Sequence, residues 1–389
     1  MFNIQVYNSI AKSGLSKFDS KKFNISTEVV EPQAYLMRSH KLHGQPIPSS
    51  LLALARAGAG VNNIPVKEYT DRGIVVFNTP GANANAVKEL IVASLLIGSR
   101  DIIGGIEYAN ALIGINDFAE MNRLLEKEKK RFAGEEIFGK TLGIVGLGAI
   151  GSMVANLGSS LGMKVIGYDP AISVETAWQL SSKVKRMDSL ETLLSQSDFV
   201  TLHVPAIPST KDLINSKNLR KMKPSAKLLN FARAEIVNLN DLIDAIENKV
   251  IGGYISDFPM PGMIGLKNVL LMPHIGASTK EAEENCAVMA SEQLIDFLEN
   301  GNIINSVNFP STEMARTEGT RITFTNENIP KVLGQVLSVF ADLNLNIIDM
   351  VNKSRGDIAY NIIDVEGKID LAIDRNIANI SGIVNARKL

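Results

Sequence analysis

Residues 141–151 read Thr-Leu-Gly-Ile-Val-Gly-Leu-Gly-Ala-Ile-Gly, an apolar strand running into G-x-G-x-x-G and then into the amphipathic stretch Ile150–Leu161. Each glycine has a mechanical job there. Gly146 makes the tight turn, Gly148 lets backbone approach a pyrophosphate, and Gly151 lets the helix close on its strand. The helix start at Ala149 and Ile150 then offers unpaired N–H groups and a positive dipole end to phosphate oxygens. The next strand, Lys164–Tyr168, ends at Asp169, whose carboxylate can accept both ribose hydroxyls and would repel a 2′-phosphate. Strand, glycine turn, helix, second strand and terminal acid therefore point to NAD rather than NADP.

The same βα rhythm runs through most of the chain. Short apolar runs at Leu52–Ala57, Ile74–Asn78, Phe199–His203, Lys227–Asn230 and Val269–Met272 alternate with helical stretches at Asn85–Gly98, Leu239–Glu247 and Lys280–Glu299. That pattern predicts parallel sheets covered by helices. The charged segment Ile115–Lys130 reads as a solvated helix linking two lobes. Phe309-Pro310-Ser311-Thr312 opens a polar linker, after which the pattern restarts. Strands are expected at Thr320–Thr325, Asn346–Asn352, Asp357–Val365 and Gly382–Ala386, with helices at Lys331–Asp342 and Asp370–Asn376. This βαββαβ order is ferredoxin-like. The fold class is α/β: two Rossmann-like, doubly wound lobes plus that small terminal sandwich.

Composition removes competing classes. The 389 residues carry a net charge of −1, so no global field holds a nucleic acid. No apolar run approaches the ~20 residues that span a bilayer, and the alternating start MFNIQVYNSI lacks the form of a signal peptide. Cys286 alone forms no internal disulfide, and it falls in a helix as core. A cytoplasmic protein is expected. Four histidines and one cysteine show no metal-ligand spacing, so no metal is expected.

Five further motifs, in order, carry a resemblance: Arg56-Ala-Gly-Ala-Gly-Val-Asn-Asn63, Asn78-Thr-Pro-Gly81, Leu202-His-Val-Pro205, Asn230-Phe-Ala-Arg233 and Pro273-His-Ile-Gly-Ala-Ser-Thr279. With the glycine turn, they resemble the D-isomer-specific 2-hydroxyacid dehydrogenases over essentially the whole chain, and within them the branch that oxidises 3-phosphoglycerate. The resemblance implies that His274 is the base for the substrate hydroxyl and that Arg233 grips the carboxylate and the carbonyl oxygen. A planar guanidinium fork suits that grip, and lysine does not reproduce it. Backbone N–H groups of Ala59 and Gly60 complete the carboxylate site, and Arg56 is the candidate for a substrate phosphate. On the cofactor side the resemblance adds His203 (by its backbone), Pro205, Ala232, Gly276 and Asp257, the last to position the nicotinamide amide. His40 and His43 have no evident role.

The implied organisation is a substrate lobe of residues 1–98 and 282–310, a nucleotide lobe of 99–281, a linker of 311–319 and an ACT-like regulatory unit of 320–389. In such a unit Asn326, Asn328 and Asn346 match the side chains that hold effector L-serine, although Lys331 replaces a usual glycine. A homodimer or homotetramer is expected. The function implied is NAD-dependent oxidation of 3-phospho-D-glycerate to 3-phosphohydroxypyruvate, the entry to serine synthesis. The alternatives are a glycerate- or lactate-type dehydrogenase and a non-enzymatic NAD(H)-sensing scaffold.

Two positions depart from the family pattern near the chemistry. A glutamate usually follows five residues after the aspartate matching Asp257, where it bonds the histidine, but position 262 is Gly. Without it His274 loses a partner that favours its protonated form, so the reductive direction is expected to weaken. A distant acid such as Glu281 is a candidate substitute that the sequence does not place, and the cationic run Lys129–Arg131 is a weaker phosphate candidate than Arg56. Ala234 replaces the usual glycine after the catalytic arginine, a change expected to be tolerated unless the backbone there needs positive φ.

Overall fold

The computed structural model describes residues 1–367, 369 and 373–389, and they form two compact units, Met1–Asn83 with Thr279–Leu389, and Ala84–Ser278. In the first unit β1 (Phe2–Val6), β2 (Phe23–Ser26), β3 (Ala34–Met37), β4 (Ala53–Arg56) and β5 (Val75–Phe77) make a parallel sheet in the order β2-β1-β3-β4-β5. In the second, β6 (Thr141–Val145), β7 (Lys164–Tyr168), β8 (Lys185–Arg186), β9 (Phe199–Leu202), β10 (Lys227–Asn230), β11 (Gly253–Ser256) and β12 (Val269–Leu271) pair in parallel in the order β12-β11-β10-β9-β6-β7-β8. Both are doubly wound. β3, β9 and β11 are buried at every position because helices cover both faces of such sheets.

Beyond residue 319 the chain forms β13 (Thr320–Glu327), β14 (Ile347–Arg355), β15 (Ile358–Val365) and β16 (Ile383–Lys388), an antiparallel sheet ordered β14-β15-β13-β16. The helices Val332–Asp342 and Ile373–Ala378 complete the βαββαβ plan. The start of the second expected helix, Asp370 to Ala372, lies outside the described residues.

The chain passes between units at 83/84 and 278/279 rather than at 98/99 and 281/282. The reason is the helix Ala84–Ser99, whose Val87, Ile91 and Leu95 bury against Leu142, Ile144, Phe199 and Ile255 of the nucleotide sheet. The charged helix Phe118–Glu128 has no buried residue and belongs wholly to the second unit, so it does not link the lobes. Nor is the terminal sheet a detached third unit. Ile358, Tyr360 and Ile362 share one core with Phe77, Leu294 and Phe297. Arg321, fully buried, spends all five N–H donors: Nε and Nη2 on Asp364 at 2.7 and 2.8 Å, and the rest on the carbonyls of Asn300, Met314 and Ala315. Tyr360 Oη donates to Gly301 O at 2.7 Å, and Arg387 Nη2 to Leu298 O at 3.0 Å. These groups cap the carbonyl end of the helix Lys280–Asn300.

Candidate active site

The parallel strands of the nucleotide unit bring its predicted cofactor residues, with Arg233 and His274, to one edge of its sheet, outside the carboxyl ends, whereas Lys129–Arg131 lie elsewhere. β6 and β9 are neighbours there, and the winding reverses between them, which opens a crevice for a ligand. Gly146 follows β6 with φ +90°, and its N–H donates to Tyr168 O at 2.9 Å. A Cβ on Gly146 would lie 2.8 Å from the His203 carbonyl, and one on Gly151 2.0 Å from Gly146 O. A Cβ on Gly148 would meet nothing within 4 Å. Two glycines thus close the turn on itself, and the third faces open space. The helix Ala149–Ser160 has Gly148 as its N-cap and no side-chain cap, whereas Ser173, Ser189 and Asn238 cap other helices of this unit. Its first N–H groups are left for an anion.

Asp169 does more than end its strand. Oδ2 accepts the Leu147 N–H at 2.8 Å and Oδ1 the Ala171 N–H at 2.9 Å, so it also fastens the glycine turn. At the facing strand end, the His203 N–H donates to Val145 O at 2.7 Å. Its Nε2 meets Thr201 Oγ1 at 2.9 Å, while Nδ1 is buried with no partner among the described residues. Burial pushes this imidazole down to about 3, so it is neutral at pH 7. Pro205 is exposed and its carbonyl accepts from Thr210 Oγ1. The open cradle at Gly148, the uncapped helix and the unpartnered Nδ1 fit a dinucleotide.

Arg233 follows β10 in an extended conformation, with Nη1 on Ala232 O at 2.6 Å. The buried Asn230 holds this turn: Nδ2 donates to Arg233 O at 2.8 Å, and Oδ1 accepts the Ala232 N–H at 3.1 Å. Ala234 starts a right-handed 3-10 turn, so its methyl brings no backbone strain. His274 lies past β12, exposed, with φ +56°. Its ring meets Phe258 edge-on at 4.9 Å. Asp257 is buried, and both its oxygens accept N–H groups of the His274 turn, from Ile275 and Gly276. Nothing in the sequence spacing signalled that engagement.

In the other unit, β4 ends at Arg56, whose Nε donates to Arg38 O at 2.9 Å and whose Nη1 donates to Gly60 O. Asn78 Nδ2 holds Ala59 O at 2.7 Å, and Thr79 N–H holds Gly58 O at 3.2 Å. Among the described residues the Ala59 and Gly60 N–H groups donate to no protein atom. Arg38, at the end of β3, brings a second guanidinium to this edge, paired with Glu283 at 2.7 Å. Sequence reasoning missed it because strand order, not spacing, puts residue 38 beside 56. Lys129 and Arg131 pair with Glu126 and Glu128 on a solvated turn.

The effector candidates are not brought together within one chain. Asn326 is buried, its Oδ1 accepting from Asn361 Nδ2 at 2.7 Å and its Nδ2 donating to Glu327 O at 2.6 Å. Asn328 Nδ2 donates to Gly356 O at 3.0 Å. Asn346 is exposed beside Glu366, whereas Asn326 pairs with Ala359, at the far end of β15. Lys331 adopts φ +80°, the conformation for which a glycine is the natural choice.

Residues 108–276 match the family model for the NAD-binding domain of D-isomer-specific 2-hydroxyacid dehydrogenases. The chain is 34% identical to the D-3-phosphoglycerate dehydrogenase of Haemophilus influenzae over 87% of this chain and 81% of that one. It is 37% identical to the Synechocystis enzyme of the same name over 79% of this chain, but spans only 53% of that relative's length. Among solved structures, NAD+-bound 3-phosphoglycerate dehydrogenase of Entamoeba histolytica superposes with a TM-score of 0.61 at 25% identity, covering 79% of this chain and 98% of that one.

Proposed function

The chain belongs to the D-isomer-specific 2-hydroxyacid dehydrogenase family, and from that premise we propose that it oxidises 3-phospho-D-glycerate to 3-phosphohydroxypyruvate, the first step of L-serine biosynthesis. The observation that carries the reading is the shared sheet edge: Arg233 after β10, His274 after β12 and the open glycine turn after β6 all lie outside the carboxyl ends of one parallel sheet.

NAD, when bound, supplies the hydride acceptor. Gly148 and the N–H groups of Ala149 and Ile150 would hold its pyrophosphate, Asp169 its ribose hydroxyls, and the crevice beside His203, Pro205 and Ala232 its remainder. The rest belongs to the chain's own side chains. Arg233 holds the substrate carboxylate and the C2 oxygen through its fork, which fixes the carbon to be oxidised. His274 takes the C2 hydroxyl proton on an imidazole nitrogen and returns it in reduction. In the other unit the N–H groups of Ala59 and Gly60, which donate to no protein atom among the described residues, and the Arg56 guanidinium are the candidates for substrate carboxylate and phosphate oxygens.

Arg56 on that edge favours a phosphorylated substrate over glycerate or lactate, which carry no phosphate for it, whereas Arg38 beside it already pairs with Glu283. Arg233 and His274 argue against a scaffold that merely senses NAD(H). NADH formation with 3-phosphoglycerate, compared with glycerate and lactate under removal of product, tests the reading, and binding of NADH with no turnover of any acid would favour the scaffold. Because Asn346 lies at the opposite end of the sheet from Asn326 and Asn328, a serine site using all three needs two copies of the chain. The L-serine effector and the homodimer or homotetramer therefore form one proposal. Serine titration followed by thermal shift and sedimentation tests it.

A further inference from the structure

We infer that Tyr254 and Phe258 are positioning residues for the two catalytic side chains, Tyr254 setting Arg233 and Phe258 setting His274; this rests on the dehydrogenase reading above. They lie on β11 and its continuation, at alternate positions with Ser256 between them, so the period of two along a strand turns all three to one face. Tyr254 there shares a core with Ala232 and Ile236, whereas Ile255 joins Val87 and Ile144 on the opposite face.

The link to Arg233 runs through Asn230, which is fully buried at the end of β10 and stands opposite Ser256. Its Oδ1 accepts the Ala232 N–H at 3.1 Å. Its Nδ2 donates to Arg233 O at 2.8 Å and to Tyr254 Oη at 3.2 Å, and these two acceptors use both hydrogens of the amide. Tyr254 is 1% exposed, and burial pushes its phenol above the usual range, so near neutral pH Oη is an uncharged hydroxyl. Without Oη one amide hydrogen is left in a dry site with no acceptor, and the amide loses what fixes its last torsion. The turn that presents Arg233 then loosens, and the guanidinium moves with Ala232, whose carbonyl holds Nη1 at 2.6 Å.

The link to His274 is aromatic. Ser256 Oγ donates to Asn230 O at 3.1 Å and accepts the Phe258 N–H at 3.0 Å, which fixes where Phe258 leaves the strand. The phenyl ring then meets the imidazole edge-to-face, at 4.9 Å and 60°. On an exposed histidine this contact narrows the rotation of the ring. One strand thereby serves both groups, with a hydroxyl for the guanidinium that grips the acid and a ring for the imidazole that takes the proton.

The experiment compares wild type with Tyr254→Phe, which deletes one oxygen and keeps the ring, with Phe258→Leu, which removes the aromatic contact, and with Phe258→Tyr, which restores it. Tyr254→Phe is expected to raise the KM for 3-phosphoglycerate about tenfold, and Phe258→Leu to lower kcat about tenfold, with NADH affinity in both within about threefold of wild type. Phe258→Tyr recovers kcat. Phe258→Leu also shifts the ring-proton signal of His274 in the NMR spectrum, where four histidines leave little overlap. Parallel losses of acid binding, kcat and NADH affinity would mean that these residues only hold the fold, and would overturn the inference. So would variants indistinguishable from wild type. Should Tyr254→Phe or Phe258→Leu not fold, wild-type NMR decides. An Asn230 side-chain amide protected from exchange, with a nuclear Overhauser effect between the Phe258 and His274 rings, supports the inference, and the absence of either overturns it. A wild type that shows both signals yet oxidises no hydroxy acid would fail the dehydrogenase reading alone.

Discussion

Two left-handed turns stand at the same edge of the nucleotide sheet, and they are held by opposite means. Gly146, φ +90°, bears no side chain, so its conformation costs nothing beyond what glycine already lost in entropy. His274, φ +56°, must carry an imidazole, and its turn is held by an aspartate 17 positions earlier in the chain. A turn made of glycine can bring its backbone to a ligand. One that must present a side chain needs an external clamp.

The largest expected effect comes from the clamped turn. His274→Gln should lower kcat by roughly 10²–10⁴ with NADH binding retained, as read by steady-state kinetics and fluorescence titration. If NADH binding falls equally, the two turns do not divide the work as described. Gly151→Ala attacks the other turn. Its Cβ would lie 2.0 Å from Gly146 O, and the backbone must shift, at about 1–3 kcal/mol and with at least a tenfold loss of NADH affinity. Denaturant unfolding and the same titration check this.

A third test concerns His203, whose backbone braces Gly146 from the facing strand. Its imidazole is pushed down to about 3 by burial, whereas the unfolded chain's histidine takes its proton near pH 6.5. Between those values the unfolded state binds the extra proton, so stability rises with pH across that window by up to about 1.4 kcal/mol per unit. His203→Gln should flatten that part of the stability curve. The smallest effect lies outside the site. Lys331 holds φ +80° without need of its side chain, and Lys331→Gly should stabilise by up to about 1 kcal/mol in thermal unfolding.

The contrast also explains what the amino-acid order made legible. The glycine turn, Asp169 and the alternation of the parallel strands are local patterns, and they stand where the motifs place them. The helix Ala84–Ser99 is legible as a helix, but which sheet buries Val87 and Ile91 is a tertiary choice, and the lobe boundary moved with it. Arg38 beside Arg56, Asp257 on the His274 turn and the five-donor Arg321 network are set by strand order and loop closure across tens of residues. Polar linker composition at 311–319 likewise gave no sign that Arg321 fixes Met314 and Ala315.

The sheet edge that carries Arg233 and His274 is proposed to oxidise a phosphorylated 2-hydroxy acid. The most direct test is the initial rate of NADH formation with 3-phosphoglycerate, product being removed, for wild type and Arg233→Ala beside glycerate and lactate. Turnover with 3-phosphoglycerate well above that with the other acids, and lost in Arg233→Ala, is the predicted result. Equal or faster turnover of glycerate or lactate, or none with any acid while NADH still binds, would contradict it.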